Sequence, residues 1–313
     1  MSGIVGFCGT GLMGAPMVRR LLAAGYRVRV WNRSPEKARA LQAYGATMVE
    51  SPQAAAHNVE AVFLCLTDEA AVEATVFGDK GIQNAPGSWL VDHSSISPVA
   101  TREFAARLAR DGGRLWVDAP VSGGVAGATA GTLSIMAGGS APAVRATTAC
   151  MQTYASRITH VGDTGAGQIA KLCNQTIVAS TINAIAEAVA LAQKNGVEAS
   201  ILNTALAGGW ADSVLLQTFV PRMTGPIDRP LGTVSTMLKD VENVATLAEK
   251  SGVSLRGLDA VLASFREAAS QGLGCADLSE IVRVAWPGKT EGSSMQSPND
   301  AHFLATNDPG ATP

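Results

Sequence analysis

The first half of the chain alternates short apolar runs with longer amphipathic segments. The runs are apolar at successive positions and not at every second one, which is typical of strands covered on both faces. Segments of helical periodicity separate them, so the pattern predicts crossover connections and a parallel sheet. The predicted strands cover residues 4–8, 26–31, 59–66, 88–92 and 114–118.

The pattern changes near residue 165, where the strand-like runs stop. The segment from 165 to 196 has helical periodicity throughout, and Gly196 closes it as a C-cap. From Pro287 onward the chain is rich in Pro, Gly, Ser, Asn and Asp, so we expect disorder there. Shorter helical patterns lie between, at residues 198–207, 213–221, 233–251, 256–271 and 276–285.

These patterns predict three parts. Residues 1–164 form an α/β domain, and residues 165–286 form an all-helical domain, to which the family resemblance described below assigns substrate binding and dimerisation. Residues 287–313 form a disordered tail. The long helix at the junction lies between the two domains.

Composition narrows the class of protein. The 313 residues are enough for about two domains, and 47% apolar with 16% charged residues exclude wholesale disorder. The 24 basic and 26 acidic residues nearly cancel, so we predict no nucleic-acid partner. The longest apolar stretch contains Asn183 and Glu187, which indicates a buried helix and no membrane span.

The cysteines indicate the cellular setting. There are five, widely spaced and without a C-x-x-C pair, so we predict neither a zinc site nor a disulfide framework. The N-terminus runs directly into a strand without a charged leader. These observations predict a protein of the reducing cytoplasm without a metal.

The first strand ends in a glycine-rich loop, GFCGTGLMGAPM, with the spacing G-x-G-x-x-G. The spacing alone is weak evidence, but here a strand precedes it and a helix follows, as a dinucleotide site requires. Gly9 permits the tight turn, Gly11 lets the backbone approach a pyrophosphate, and Gly14 lets the helix pack closely on the sheet. The helix N-terminus offers N–H groups to phosphates. We therefore predict a Rossmann dinucleotide-binding domain.

The end of the second strand indicates which dinucleotide binds. NAD sites place a carboxylate there, whereas this chain has Asn32, Arg33 and Ser34 in WNRSPEK. An arginine fork suits a 2′-phosphate, and Lys37 adds charge one turn into the next helix. We predict that NADPH is preferred, with NAD as the alternative cofactor. The alternative role of Arg33 is a solvated strand end.

Reduction of a carbonyl needs a proton donor beside the developing alkoxide. None of the four histidines lies in a motif that suggests this role. Lys171 lies near the start of the long apolar helix, where the helix dipole disfavours a charged ammonium and so favours proton release. Asn174 and Gln175 follow on the same helical face, where either amide can bind the substrate oxygen. The alternative for Lys171 is a solvated charge.

Two loops resemble ligand-binding segments. VDAPVSGG exposes the backbone of Ser122, Gly123 and Gly124, whose N–H groups can bind a carboxylate; an ordinary loop is equally consistent with the residues. In VDHSSISP, Ser97 precedes Pro98 at a helix start, and its serines are either helix caps or cofactor contacts.

Several segments together resemble the β-hydroxyacid dehydrogenases, which include 3-hydroxyisobutyrate dehydrogenase and tartronate semialdehyde reductase. They cover about residues 3 to 286 and occur in the family's order: GFCGTGLMGAPM, DHSSISP, DAPVSGG, GTLSIMAGG, GAGQIAKLCNQ, MLKD and GLGCADLS. The resemblance implies a Rossmann domain, an all-helical C-terminal domain, a homodimer or homotetramer and an NAD(P) cofactor. It also implies interconversion of a small β-hydroxyacid and its semialdehyde.

The resemblance implies a role for each matching residue. Lys171 is the acid/base, assisted by Asn174 and Gln175, and Lys239 lies near nicotinamide and substrate. Gly232 stands where relatives often carry phenylalanine, which predicts a larger pocket. The carboxylate-binding residues are Ser122, Gly123 and Gly124. The implied cofactor residues are Gly9, Thr10, Gly11, Leu12, Met13, Gly14, Asn32, Arg33, Ser34, Lys37, Leu66, Thr67, Ser95 and Lys239.

Three alternatives share the glycine loop. Imine reductases resemble this chain but usually replace the lysine with aspartate or tyrosine. Decarboxylating 6-phosphogluconate dehydrogenase carries a K-x-x-H-N motif that is missing here. A non-catalytic, cofactor-binding scaffold of this fold lacks the lysine and carries a basic extension, whereas this chain has Lys171 and a near-zero net charge.

Overall fold

The computed structural model describes residues 3–227 and 230–286. The predicted tail, residues 287–313, lies outside the described residues. The chain divides into two compact units, Met1–Asn174 and Gln175–Pro313. The division falls inside one long helix.

The first unit is built on a nine-stranded sheet in the order β3-β2-β1-β4-β5-β6-β8-β7, with β9 paired to β8. The pairs from β3 to β6 are parallel, as are β8 and β9, whereas β8 is antiparallel to β6 and β7. The order reverses between β1 and β4, where ligands of such sheets bind. The strands are β1 Ile4–Cys8, β2 Arg27–Trp31, β3 Thr47–Met48, β4 Ala61–Leu64, β5 Trp89–Asp92, β6 Leu115–Asp118, β7 Val121–Ser122, β8 Leu133–Gly138 and β9 Ala155–Gly162.

The five predicted strands are confirmed as β1, β2, β4, β5 and β6, and most of their residues are buried because helices cover both faces. Four strands were not predicted. β3 and β7 have two residues each, too few for a pattern. β9 is largely exposed and therefore lacks an apolar run, and β8 lies among glycines in the sequence.

The helices of the first unit connect the strands and pack on the sheet. Their starts follow capping rules, since Ser51, Asp68, Ser97 and Ser140 each accept a hydrogen bond from the first helical turn. The helices are α1 Gly14–Ala23, α2 Pro35–Arg39, α3 Pro52–Ala56, α4 Glu69–Phe77, α5 Pro98–Gly112, α6 Gly124–Ala130 and α7 Ala141–Met151.

The long helix α8 covers Ala166–Lys194 and begins the helical part of the chain. By length and composition it is apolar enough to cross a membrane, but 44% of its most apolar stretch is buried inside the protein. That burial, together with its polar residues Lys171, Asn183 and Glu187, is typical of a core helix of a folded domain.

The second unit is helical. Its apolar faces pack together at the period of 3.6 residues, as in α12, where Leu258, Val261, Leu262 and Phe265 are buried. The predicted helical patterns are confirmed, with boundaries shifted by a few residues. After α8 the α-helices are α9 Leu202–Ala205, α10 Val214–Thr224, α11 Val234–Ser251, α12 Arg256–Ala268 and α13 Val282–Ala285.

Candidate functional site

The three glycines of the first loop are required for different structural reasons. Gly9 has φ +98°, and a Cβ there would collide with the Cys65 carbonyl. A Cβ at Gly14 would collide with the Gly9 carbonyl, so these two glycines are required by the protein's own packing. A Cβ at Gly11 would meet no atom within 4 Å. Packing inside the protein therefore does not explain Gly11, whereas the approach of a ligand does.

An asparagine holds the glycine loop to the end of β2. The Thr10 N–H donates to Asn32 Oδ1 at 2.9 Å, and Asn32 Nδ2 donates to the Ser34 carbonyl at 3.0 Å. Asn32 thus fixes the shape of the loop through both amide atoms. The Thr10 hydroxyl is buried and, among the described residues, has no hydrogen-bond partner.

The predicted phosphate-binding charges lie at the start of α2. Arg33 and Lys37 are exposed, and Pro35 begins the helix. Ser34 is the N-cap residue, but its hydroxyl makes no cap hydrogen bond. The arrangement offers a helix N-terminus, a hydroxyl and two exposed cations at one place, which suits a phosphate.

Residues that follow β4 and β5 are the next predicted cofactor contacts. The Leu66 N–H donates to Ser94 Oγ at 3.0 Å, which ties the two strand ends together. Thr67 is exposed and its hydroxyl donates to Asp68 at 2.7 Å, and Ser95 is half-buried.

These observations fit a dinucleotide. The open space at Gly11 and the unpartnered Thr10 hydroxyl both lie at the carboxyl end of β1, next to the reversal of strand order. Leu12, at the tip of the loop, is 73% exposed, and Met13 packs partly on the core before α1 begins. The residues therefore provide the turn, the backbone donors and the charges that such a ligand needs.

A second group of predicted residues meets near the start of α8. Lys171 is only 9% exposed. Asn174 lies three residues further on the same helical face, and the Ser122 hydroxyl donates to its Oδ1 at 3.5 Å. The structure thus brings the Ser-Gly-Gly loop to the helix that carries the lysine.

The Ser-Gly-Gly loop presents its backbone. Gly123 and Gly124 are exposed, with φ +122° and +59°, in a region that favours glycine. A Cβ at Gly124 would meet no atom within 4 Å. Gly124 is also the first residue of α6, so free N–H groups of the first helical turn accompany the loop.

The third group lies in the second unit. Gln175 is buried and its Nε2 donates to Asp240 Oδ2 at 2.6 Å and contacts Met237 Sδ at 3.7 Å. Lys239 Nζ lies 3.3 Å from Asp240 Oδ1. Asp240 therefore holds an amide of α8 and a cation of α11, and it sets the orientation of both.

Asp240 is a site residue that the sequence analysis did not single out. The signal was available: α11 buries Val234, Met237, Val241 and Val244, and the carboxylate of Asp240 falls inside this apolar stripe. A charged residue on the buried face of a helix is rare unless it is paired, which marks it as a candidate.

Two buried titratable groups lie beside each other at the end of β5. Burial raises the pKa of Asp92 to about 7, and nearby Asp118 adds to the rise. Burial lowers the pKa of His93 to about 4. The His93 ring donates from Nδ1 to the Ala119 carbonyl at 2.6 Å, because a carbonyl only accepts. Its Nε2 then accepts from the Tyr154 hydroxyl at 2.9 Å, so His93 is a satisfied core residue.

Two protein-family models match consecutive parts of the chain. The first describes the NAD-binding domain of 6-phosphogluconate dehydrogenase and matches residues 4–162. The second is described as NAD-binding of NADP-dependent 3-hydroxyisobutyrate dehydrogenase and matches residues 165–285.

Individual proteins match over most of the chain. The 2-hydroxy-3-oxopropionate reductase of Escherichia coli is 34% identical over 282 residues, covering 90% of this chain and 96% of the relative. The structure of 3-hydroxyisobutyrate dehydrogenase from Mycobacterium tuberculosis with L-serine aligns with a TM-score of 0.78 and 30% identity, covering 90% and 99% of the two chains. An imine reductase of Streptomyces aurantiacus aligns with a TM-score of 0.62 and 25% identity over 90% and 99%.

Proposed function

Because the chain belongs to the β-hydroxyacid dehydrogenase family, we propose that it interconverts a small β-hydroxyacid and its semialdehyde. Oxidoreductases of this family use NAD or NADP, and we propose NADPH as the preferred cofactor here. The exposed Arg33 and Lys37 at the start of α2 support this preference, because a 2′-phosphate binds best to charged donors.

When bound, the nicotinamide supplies the hydride that reduces the aldehyde carbon. The chain itself has to provide a proton, because the carbonyl oxygen becomes a hydroxyl. We assign this proton to the Lys171 ammonium, which is almost fully buried and so is shielded from water. In the oxidation direction the neutral amine takes the proton back from the hydroxyl.

The substrate carboxylate is held by the loop of Ser122, Gly123 and Gly124. Its exposed backbone in left-handed conformations and the adjoining helix start offer N–H donors to an anion. The amides of Asn174 and Gln175 then bind the substrate oxygens near Lys171. Lys239, anchored by Asp240, adds positive charge for the carboxylate or the cofactor.

The observation that carries this proposal is the contact of Ser122 with Asn174. It joins the loop that suits a carboxylate to the helical face that carries the lysine, although 52 residues separate the two in sequence. A proton donor near a carboxylate-binding loop is the arrangement that a semialdehyde requires. A Cβ at Gly232 would meet no atom within 4 Å, and this open space is consistent with a substrate bulkier than tartronate semialdehyde.

Two alternatives carry less support. Imine reductases of the same fold usually carry aspartate or tyrosine in place of Lys171, and the imine reductase of Streptomyces aurantiacus aligns with a lower TM-score than the 3-hydroxyisobutyrate dehydrogenase. A non-catalytic scaffold would not need a buried lysine beside a carboxylate loop. We keep both as outcomes of the experiment below.

We also propose that the protein is a homo-oligomer of the cytoplasm. Apolar side chains of the second unit are exposed, among them Leu191 and Val214 at 68% and 83%. Leu191 also lines an open apolar groove of about 470 Å³, which a second copy would cover. All five cysteines are free, which supports a reducing compartment.

The test follows NADPH absorbance with a panel of aldehydes. The panel contains tartronate, methylmalonate and succinic semialdehydes, glyoxylate and one cyclic imine, with butyraldehyde as the control that lacks the carboxylate. We expect at least one acid aldehyde to be reduced at least tenfold more efficiently than butyraldehyde, since losing a charge-assisted contact costs about 1.5–3 kcal/mol. Turnover of the imine alone, or no turnover while NADPH binds, would support the alternatives instead.

A further inference from the structure

We propose that Asp118 is a positioning residue that fixes the start of α8 and thereby places Lys171 for proton transfer. The inference rests on the proposed function of Lys171. Asp118 is the last residue of β6 and has no exposed surface. It opens the DAPVSGG segment, but the sequence analysis gave a role only to Ser122, Gly123 and Gly124 of that segment.

The carboxylate of Asp118 accepts hydrogen bonds from backbone N–H groups at the start of α8. Asp118 Oδ1 accepts from the Gly165 N–H at 2.8 Å, and Oδ2 accepts from the Gln168 N–H at 3.0 Å. The first turn of α8 itself has no acidic residue. The strand therefore supplies the carboxylate that a helix N-terminus favours.

Two glycines make this close approach possible. A Cβ at Gly138 in β8 would lie 2.6 Å from Asp118 Oδ1, and a Cβ at Gly167 in α8 would collide with the Asp118 carbonyl. Neither glycine has a positive φ, so steric room, and not backbone conformation, requires them. The helix start, β6 and β8 are thus packed without space for any shift.

Gln168 provides a second tie from the same helical turn. Its Nε2 donates to the Ser94 carbonyl at 2.8 Å, and its Oε1 accepts from the Ile96 N–H at 3.4 Å. The first turn of α8 is therefore fastened to the ends of both β5 and β6. All of these groups are buried, so water does not replace a bond that is lost.

Lys171 follows Gln168 by three residues, which is about 4.5 Å along a helix at 1.5 Å per residue. A shift of the first turn is therefore transmitted almost unchanged to the lysine. Proton transfer requires an approach within hydrogen-bond distance, and a displacement of about 1 Å can lower a rate roughly a hundredfold. The anchoring carboxylate thus acts on turnover through Lys171, without touching the substrate.

The test uses Asp118→Asn, which keeps the size of the side chain but turns one acceptor into a donor facing an N–H group. Single-turnover reduction of the best aldehyde is measured per NADPH-binding site, for this variant, for Lys171→Ala and for the double variant. Ser140→Ala is the matched control, because it removes a side-chain cap from α7, another helix of the same unit. Hydrogen exchange of the first turn of α8 is followed in parallel.

We expect Asp118→Asn to lower the rate about tenfold to a hundredfold, to speed exchange in the first turn of α8 and to leave NADPH affinity within about twofold. Because Asp118 acts through Lys171, it should lower the rate no further in the Lys171→Ala background. Ser140→Ala should keep the wild-type rate. Where Asp118→Asn fails to fold, Gln168→Leu, which breaks the other tie, carries the same comparison.

The outcomes separate the two proposals. A normal rate in Asp118→Asn, or a loss that adds fully to that of Lys171→Ala, would overturn the positioning role and leave the proposed function intact. A near-normal rate in Lys171→Ala would reject the lysine as acid/base, and the positioning role would fall with it.

Discussion

The glycine loop separates folding from cofactor binding, because Gly9 and Gly11 are only two residues apart but have different surroundings. Gly9→Ala and Gly11→Ala add the same single methyl group. At Gly9 the methyl group enters a backbone with φ +98° and collides with the Cys65 carbonyl. At Gly11 it meets no atom within 4 Å, and φ is not positive.

The magnitudes follow from these surroundings. For Gly9→Ala, the left-handed backbone costs about 1–2 kcal/mol and overpacking about 1–3 kcal/mol. At about 2–4 °C per kcal/mol for a unit of this size, the Tm should fall by roughly 4–20 °C. Gly11→Ala should leave the Tm unchanged or raise it slightly, since the substitution restricts the unfolded chain by about 0.4–1 kcal/mol.

Binding should show the opposite order. The methyl group at Gly11 occupies the space that a pyrophosphate needs, so the Kd for NADPH should rise at least tenfold, which is about 1.4 kcal/mol. The assay is fluorescence titration with NADPH on protein whose fold is verified by circular dichroism, together with thermal unfolding of the apo protein.

A Gly11→Ala protein that binds NADPH with wild-type affinity would refute the assignment of this loop as the pyrophosphate cradle. A large drop in its Tm would instead show that the protein's own packing requires Gly11. Wild-type stability of Gly9→Ala would contradict the backbone geometry of the turn.

Three further changes test other parts of the account. Arg33→Ala should lower the ratio of NADPH to NADH affinity at least tenfold, because the charge-assisted phosphate bond is lost; Arg39→Ala, an exposed charge at the end of α2, should leave the ratio unchanged in the same titrations. Between about pH 4 and pH 7, the raised pKa of Asp92, about 7, makes the free energy of unfolding fall as pH rises. The lowered pKa of His93, about 4, makes the same free energy rise with pH, up to the pKa of 6.5 that histidine has in the unfolded chain. These two effects nearly cancel in the wild-type protein. Asp92→Asn removes one of them, so the free energy of unfolding, measured in urea, should rise with pH in this window by up to about 1.4 kcal/mol per pH unit. An unchanged pH profile would contradict the buried acid. Asp240→Asn should lower kcat by about tenfold or more, since Gln175 loses its charged acceptor; a change in NADPH affinity alone would argue against this role.

The elements predictable from sequence are those with strong local patterns. β1, β4 and β5 are short runs of mostly apolar residues, and α8 is a mostly apolar segment of 29 residues. β9 was not predicted because seven of its eight residues are not buried, so the sequence of this edge strand resembles that of a loop. Its pairing with β8 depends on backbone bonds that leave no trace in the pattern of apolar side chains.

The site was predictable where its chemistry is local in sequence. The spacing of the glycines and the lysine inside an apolar helix are both local signals. Asp118 and Asp240 were not found, because their partners lie 47 and 65 residues away. A carboxylate that receives backbone N–H groups or an amide from another element is recognised only when the fold brings them together. Asn32 was predicted from the sequence as a cofactor residue, whereas its hydrogen bonds with Thr10 and Ser34 became visible only in the structure.

The most direct test of the central claim compares wild-type protein with Lys171→Ala in single-turnover reduction of the best aldehyde by NADPH. A general acid contributes roughly 10²–10⁴-fold to a rate, so the variant should lose about that much while it binds NADPH normally. A variant that binds NADPH and reduces the aldehyde at a near-normal rate would contradict the assignment of Lys171 as the proton donor.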